Sequence, residues 1–348
     1  MIKYSADLHL RVSVLDPLGF DPYVDMLHDL NQKENLKGLI ELTSDLLPSL
    51  KFIQSLDVEN NLAAMRDLGF LISSIRKLGV QPVKVVSNLE TILLQIAKNT
   101  ALPPRESSYH YGVWNPAGSR QRTFTKLEDE IGLINGVRNT IPYFENIAFD
   151  IFKLLETDNS DFSMLLSNIE SNFEKSVSAF AQSMRLIDPW VFSNRLRPYF
   201  DPVEVGNKEY IGPGGGQIPL YLVDKMLWFD NDDEIYLKFT RECNAYMPIY
   251  LREMFDEIED KPSLLKKVST ALTDHSNTVD GKCLEQIDNV FKLLYKFRKP
   301  HTSLARKSLS KENRGNYETG SAGYKFSFVE HVLRLNIEKY ESFKNQFS

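Results

Sequence analysis

The sequence predicts an all-α protein, and three observations support that prediction. Apolar residues recur every three or four positions through most of the 348-residue chain, as they do along one face of a helix. Glycine and proline separate these runs at helix-like intervals. Strand-like alternation is scarce beyond two short runs, RVSVL (11–15) and KEYIG (208–212).

The helical runs follow one another along the chain, and the early ones have clear stop signals. Residues 60–79 (NNLAAMRDLGFLISSIRKLG) form the first clear run, which Gly79 is placed to end. The run 89–104 stops at its final Pro-Pro pair, because proline cannot continue a helix. The run 178–192 breaks at Asp188–Pro189. Further helical runs occupy 263–272, 283–297 and 326–343.

The turn-forming segment WNPAGSRQRTF (114–124) is the clearest candidate for a linker. We therefore expect a smaller N-terminal helical domain, residues 1–118, and a larger C-terminal helical domain, residues 119–348. The most polar stretch, residues 306–326, is expected to be a loop between two late helices.

Composition and charge exclude several classes of protein. The formal net charge of -6 argues against a nucleic-acid footprint, which needs a basic face. No stretch reaches the roughly 18 apolar residues of a membrane span, and the first residues lack the pattern of a signal peptide. The two cysteines, Cys243 and Cys283, form no CxxC motif. We expect a cytoplasmic protein that binds neither nucleic acid nor membrane.

The glycine-rich loop GPGGGQ (212–217) raises the question of a phosphate site, and the surrounding sequence argues against one. No GK[ST] follows it, and no strand precedes a GxGxxG pattern, so Walker and Rossmann sites are excluded. HExxH, GxSxG and EF-hand motifs do not occur.

The histidines differ in their surroundings. Those with polar neighbours are expected at the surface or its rim: His9, His28, His275 and His331. His110 lies between two tyrosines and is a candidate to line a pocket. His301 continues the apolar helix face marked by Leu284, Phe291 and Leu294. That position fits either a satisfied core histidine or an axial haem ligand, for which a neutral imidazole on a helix is required.

Several segments, in order, resemble the indoleamine 2,3-dioxygenase family, part of the histidine-ligated haem superfamily that includes tryptophan 2,3-dioxygenase. The resemblance covers roughly residues 100–348. The segments are LPP (102–104), DPWVFSNRLRPYF (188–200), GGGQIPLYLVD (214–224), YMPIYLREMF (246–255), FRKPHTSLARKSL (297–309) and ETGSAGY (318–324).

For the cofactor, the resemblance implies haem b. His301 matches the proximal iron ligand, and Arg298 matches the arginine that supports the haem propionate. Asp224 lies near the position of the family's aspartate behind the proximal ligand. Gly214, Gly215 and Gly216 match a small-residue loop lying against haem and substrate. The N-terminal domain is expected to contribute residues on the opposite, distal side.

For the substrate, the resemblance implies an oxygenase acting with O2 on L-tryptophan or an indole derivative. Phe192 matches the aromatic residue that packs on the indole, and Arg197 matches the arginine that binds the substrate carboxylate. Thr319 matches the threonine of the family's GTGGT loop. Here that loop reads ETGSA (318–322), which puts plain dioxygenase activity in doubt.

Two alternatives stay open. The pyrrolnitrin-biosynthesis branch, with enzymes similar to monodechloroaminopyrrolnitrin synthase, rearranges a tryptophan on the same scaffold. A helical binding protein without cofactor is the alternative from another class. The oligomeric state is left open.

Overall fold

The computed structural model describes residues 6–156, 162–273 and 280–346, and helices dominate those ranges. The predicted all-α class is confirmed. Helices α1 to α8 are Ala6–Val14, Val24–Gln32, Leu36–Leu46, Leu50–Ser55, Val58–Lys77, Pro82–Val85, Leu89–Thr100 and Glu128–Glu156. Helices α9 to α16 are Phe162–Met184, Pro189–Val191, Leu220–Leu227, Glu234–Asn244, Ile249–Ile258, Leu264–Thr273, Gly281–Ser308 and Phe326–Gln346. Short π turns also occur at Tyr109–Val113 and Phe192–Leu196.

One antiparallel pair of short strands interrupts the described helices, β1 (Val203–Val205) and β2 (Lys208–Tyr210). The paired residues are Val203 with Tyr210, Glu204 with Glu209 and Val205 with Lys208. Gly206 (φ +58°) and Asn207 (φ +60°) form the tight turn, and both tolerate this left-handed backbone. The run KEYIG is thus strand in part. The other strand-like run, residues 11–15, belongs mostly to α1, because a short alternation also fits a helix packed along one face.

Helix α5 shows how the sequence sets both ends of an element. The Asp57 side chain caps its first turn by accepting from the backbone N–H of Asn60 at 2.8 Å. Gly79 (φ +81°) follows the last turn, as predicted, and its N–H donates to the carbonyl of Arg76 at 2.9 Å. All of residues 61–75 are buried, so α5 is enclosed on every side.

Two clusters of buried apolar side chains form the core. Helices α2 to α7 supply most of the first cluster, and α8, α9 and α11 to α15 supply most of the second. Residues 196–205 pack into the first cluster although they follow α9 in sequence. The segment 114–124 is itself packed, with Arg122 fully buried and its carbonyl accepting from Asn115 at 2.8 Å. The predicted boundary at residue 118 stays a prediction.

Helices α8, α9 and α15 are the long frame on which the site is built. Glycines let α8 approach the end of α9 closely, because a Cβ at Gly136 would lie 3.2 Å from that of Ser183. Helix α15 begins at an Asp280 cap, which accepts from the N–H of Cys283 at 2.8 Å. It runs through Pro300 to Ser308. The loop predicted at residues 306–326 spans residues 309–325 in the structure and leads on to α16.

Candidate functional site

A cavity of about 260 Å³ lies where α8, α9, α11, α12, α15 and α16 converge, and the 309–325 loop borders it. Most of its lining is apolar or glycine, as suits an aromatic or macrocyclic ligand. It brings together all nine residues that the sequence predicts for the site: Phe192, Arg197, Gly214, Gly215, Gly216, Asp224, Arg298, His301 and Thr319. A more open depression on the outer face of α15, lined by lysines, borders none of them.

His301 presents a neutral imidazole to this cavity. Burial, and to a lesser degree the positive charge of Arg298, lowers the pKa of His301 to about 4, so the ring is uncharged at pH 7. Within the described part of the chain neither ring nitrogen makes a hydrogen bond, although the ring retains some surface toward the cavity. A Cβ added at Gly215 would lie 3.3 Å from Nε2. The imidazole therefore has a free lone pair beside a position that carries no side chain.

Arg298, one turn before His301, belongs to a buried polar network. Its Nη2 and the hydroxyl of Tyr236 both donate to Oδ2 of Asp224. The indole N–H of Trp228 donates to Oδ1 of Asp224 at 2.8 Å. Burial lowers the pKa of Arg298, but Asp224 outweighs it and the pKa is raised overall. Asp224 thus pairs with Arg298, which is the charged group acting on the His301 imidazole.

The glycine loop is held by Ser108, which is far away in sequence, and by Gln217 at the end of the loop itself. The Ser108 hydroxyl donates to the carbonyl of Gly214 at 2.8 Å and lies 3.1 Å from its N–H, which donates back. The Gln217 amide accepts from the N–H of Ser108 at 3.0 Å and donates to the carbonyl of Gly212 at 3.1 Å. Gly214, Gly215 and Gly216 do not have left-handed backbone, so these glycines serve close approach.

Arg197 is nearly buried and already paired within the protein. Its Nη1 donates to Oδ1 of Asp201 at 3.0 Å, and its Nη2 donates to the carbonyl of Gly320 at 3.2 Å. The guanidinium carbon lies 4.4 Å from the ring centroid of Tyr317. Burial lowers the pKa of Arg197, although Asp201 opposes that effect. The arginine thus joins the residue 197–201 turn to the 309–325 loop.

Phe192 and Thr319 border the cavity from two different segments. Asp188 starts the segment of Phe192 by accepting from the N–H groups of Trp190 and Val191 at 2.8 and 3.0 Å. Thr319 lies in the 309–325 loop, where the N–H of Gly320 donates to the carbonyl of Tyr324 at 2.8 Å.

The other described histidines do not border the cavity. His110 is buried but does not border it, whereas its neighbours Ser108 and Tyr111 do. The expectation that His9 lies at the surface or rim is wrong, because it is 7% exposed and its Nε2 lies 2.9 Å from Glu145. His28 and His331 are half-buried, in keeping with the rim. His275 lies outside the described residues.

Sequence reasoning missed three polar residues that shape the site, Ser108, Gln217 and Asp201. Ser108 and Gln217 are separated by more than 100 positions, so no local pattern pairs them. Asp201 lies four residues after Arg197, a spacing that allows an ion pair on one helical turn. That spacing was the one signal available.

Within the described ranges, no three His, Cys, Asp or Glu side chains gather as a metal-ligand set, and His301 is a single donor. No helix in those ranges is both long and apolar enough to cross a bilayer.

A comparison with protein-family models found one match. The family model described as "Monodechloroaminopyrrolnitrin synthase PrnB" matches residues 21–347. The match spans nearly the whole chain, including every residue that borders the cavity.

Proposed function

The chain belongs to the monodechloroaminopyrrolnitrin synthase (PrnB) family, and from this premise we propose a haem-dependent oxygenase that rearranges L-tryptophan or a ring-substituted tryptophan. Family membership makes it an enzyme and sets aside the non-catalytic helical binding protein. The observation that carries the cofactor assignment is the neutral, unpaired imidazole of His301 at the cavity.

The residues around His301 fit a haem group. A neutral imidazole with a free ring nitrogen is what an axial iron ligand requires. Gly215 leaves the space beside Nε2 free of a side chain. Arg298 provides a cation at the cavity wall that suits a propionate. We assign haem b to this cavity, with His301 as the iron ligand; when bound, the haem supplies the activation of O2.

The chain's own contribution to the reaction is orientation. Phe192 is assigned to pack on the indole, and Arg197 to hold the substrate carboxylate through its planar guanidinium. Thr319 and the glycine loop would enclose the amino-acid end and the flat ring. Asp224 is already paired with Arg298, and Arg197 with Asp201. We therefore assign Asp224 to the haem side and Arg197 to positioning the substrate, and neither of them to proton transfer.

The family match favours rearrangement over plain ring opening. We propose that the product is an aminophenylpyrrole, and N-formylkynurenine is the product that indoleamine 2,3-dioxygenase chemistry would give. The loop ETGSA, in place of GTGGT, supports the same choice, because it changes the groups over the amino-acid end. Incubating the reduced, haem-loaded protein with tryptophan and O2 and identifying the product by mass spectrometry distinguishes the two.

Haem reconstitution tests the cofactor assignment directly. The purified protein should take up one haem and show a Soret band, whereas His301→Ala should lose the band or shift it markedly. His331→Ala is the matched control, because His331, on α16, pairs with Asp233 at the start of α12 and does not border the cavity. Absence of haem uptake by the wild-type protein, or an unchanged spectrum in His301→Ala, would contradict the assignment.

A further inference from the structure

Asp201 is paired with Arg197, the residue to which the substrate carboxylate is assigned. Its Oδ1 accepts from Nη1 of Arg197 at 3.0 Å, and its Oδ2 accepts from the hydroxyl of Tyr317 at 3.2 Å. The Arg197 side chain is 7% exposed and that of Asp201 23% exposed, so solvent screens this pair only in part.

A ligand carboxylate at Arg197 would meet a cation whose charge is already compensated. The carboxylate would also lie near the negative charge of Asp201, and two carboxylates on one guanidinium repel each other. Nη2 donates to the carbonyl of Gly320 in the 309–325 loop, whereas Nε of Arg197 is buried without a partner among the described residues. A ligand carboxylate can therefore accept from Nε, but it would do so beside the negative charge of Asp201.

We propose that Asp201 is a positioning residue that sets how strongly the site discriminates substrates with a carboxylate from those without one. It competes with the substrate carboxylate for Arg197, and it holds Tyr317 of the 309–325 loop with its other oxygen. The inference rests on the proposed function, since it assumes that a tryptophan carboxylate binds at Arg197.

The experiment compares the binding of L-tryptophan and tryptamine, which differ by the carboxylate, to the haem-loaded protein by isothermal titration calorimetry. Asp201→Asn keeps an oxygen that accepts from Arg197 and removes the charge. We expect it to raise the ratio of tryptophan to tryptamine affinity roughly tenfold, from the loss of one nearby negative charge. Glu204→Gln is the matched control, because Glu204 pairs with Lys84 near the surface, and its ratio should stay at the wild-type value.

A second variant separates the charge from the loop contact. Tyr317→Phe removes the hydroxyl bonded to Asp201 but leaves the carboxylate on Arg197. It should weaken both ligands by a similar factor, leaving their ratio unchanged. An equal effect of Asp201→Asn on both ligands would overturn the proposal.

The failure of this inference and that of the proposed function look different. If the wild-type protein binds no tryptophan, the proposed function fails. If Arg197→Gln lowers the ratio of tryptophan to tryptamine affinity but Asp201→Asn leaves it unchanged, the carboxylate site stands and the role of Asp201 is overturned.

Discussion

At the scale of single residues, His110 is held where its protonated form is disfavoured. Its Nδ1 lies 3.0 Å from the backbone N–H of Ser107, which donates to it, so the ring proton belongs on Nε2. Nε2 is buried without a partner among the described residues. Burial, together with the positive charge of Arg66, lowers the pKa of His110 from 6.5 to about 3. The neutral ring is therefore part of the folded state.

This makes His110 a source of acid sensitivity. Below pH 6.5 His110 binds a proton in the unfolded chain, whereas in the folded protein it stays neutral down to about pH 3. The free energy of unfolding is therefore highest above pH 6.5 and decreases as the pH falls through this window. The loss approaches about 1.4 kcal/mol per pH unit in this window. We expect His110→Asn to reduce the slope of unfolding free energy between pH 6 and pH 4, measured by urea denaturation. An unchanged slope would mean that His110 does not titrate as described.

Among site residues, His301 could be found from its place on an apolar helix face, and the resemblance supplied its expected role. Arg197 was located by the resemblance alone, and its partners could not be located. Tertiary packing decides which groups contact a buried arginine, and here it brings Tyr317 and Gly320 to Arg197. The expectation for His9 failed for a related reason, because polar neighbours in sequence do not reveal a buried partner such as Glu145.

At the scale of elements, the glycine loop is a fixed wall of the cavity. Ser108 bonds its backbone at Gly214, and Gln217, the last residue of the loop itself, bonds it at Gly212. A Cβ at Gly216 would lie 3.0 Å from Phe239 and 3.1 Å from Cys243. A Cβ at Gly215 would approach His301 instead. Gly216 thus allows close packing against α12, whereas Gly215 leaves room beside His301 on the cavity side.

That difference leads to a test of the loop. Gly215→Ala should lower haem affinity at least severalfold while changing unfolding free energy little, because its methyl group meets Nε2 of His301 and not the core. Haem titration and urea denaturation of the haem-free protein measure the two effects separately. Gly281→Ala is the matched control, since a Cβ there meets nothing within 4 Å. Equal haem affinity in the two variants would show that the loop is an ordinary turn with no part in haem binding.

Helix positions were predictable from local signals, and several boundaries followed. Gly79 ends α5, and the polar stretch after α15 is a loop, because turn residues act locally. The hydrogen bonds between Ser108 and the glycine loop could not be predicted from any local sequence pattern. The linker expected at 114–124 is a packed segment, because Arg122 bonds Asp67 at 3.0 Å inside the protein.

At the scale of the whole molecule, a buried carboxylate ties the N-terminal helix to the large core. Glu145 on α8 is fully buried and accepts from the hydroxyl groups of Tyr109 and Tyr250 at 2.6 and 2.7 Å. His9 on α1 completes the set at 2.9 Å, and Trp114 donates to the other ring nitrogen of His9 at 3.0 Å. Four distant segments therefore meet at one side chain.

Breaking this junction should destabilise the protein as a whole. Glu145→Gln replaces one acceptor oxygen by an N–H donor that faces buried donors, at a cost of about 3 kcal/mol. Urea denaturation measures the change. Glu59→Gln on α5 weakens the more exposed ion pair with Arg11 of α1 and should change the free energy of unfolding much less. Similar losses in both variants would show that the buried junction contributes no more than a surface pair.

The cavity wall has a consequence for how the protein is made. Its lining is drawn from segments between Ser108 and Val332, which lie in separate helices and turns. Long stretches of chain must close before any of these residues meet, and contacts between distant residues slow folding. No short fragment contains the wall, so the ligand site does not exist on a partly synthesised chain. We expect the polypeptide to fold first and acquire its cofactor after release from the ribosome.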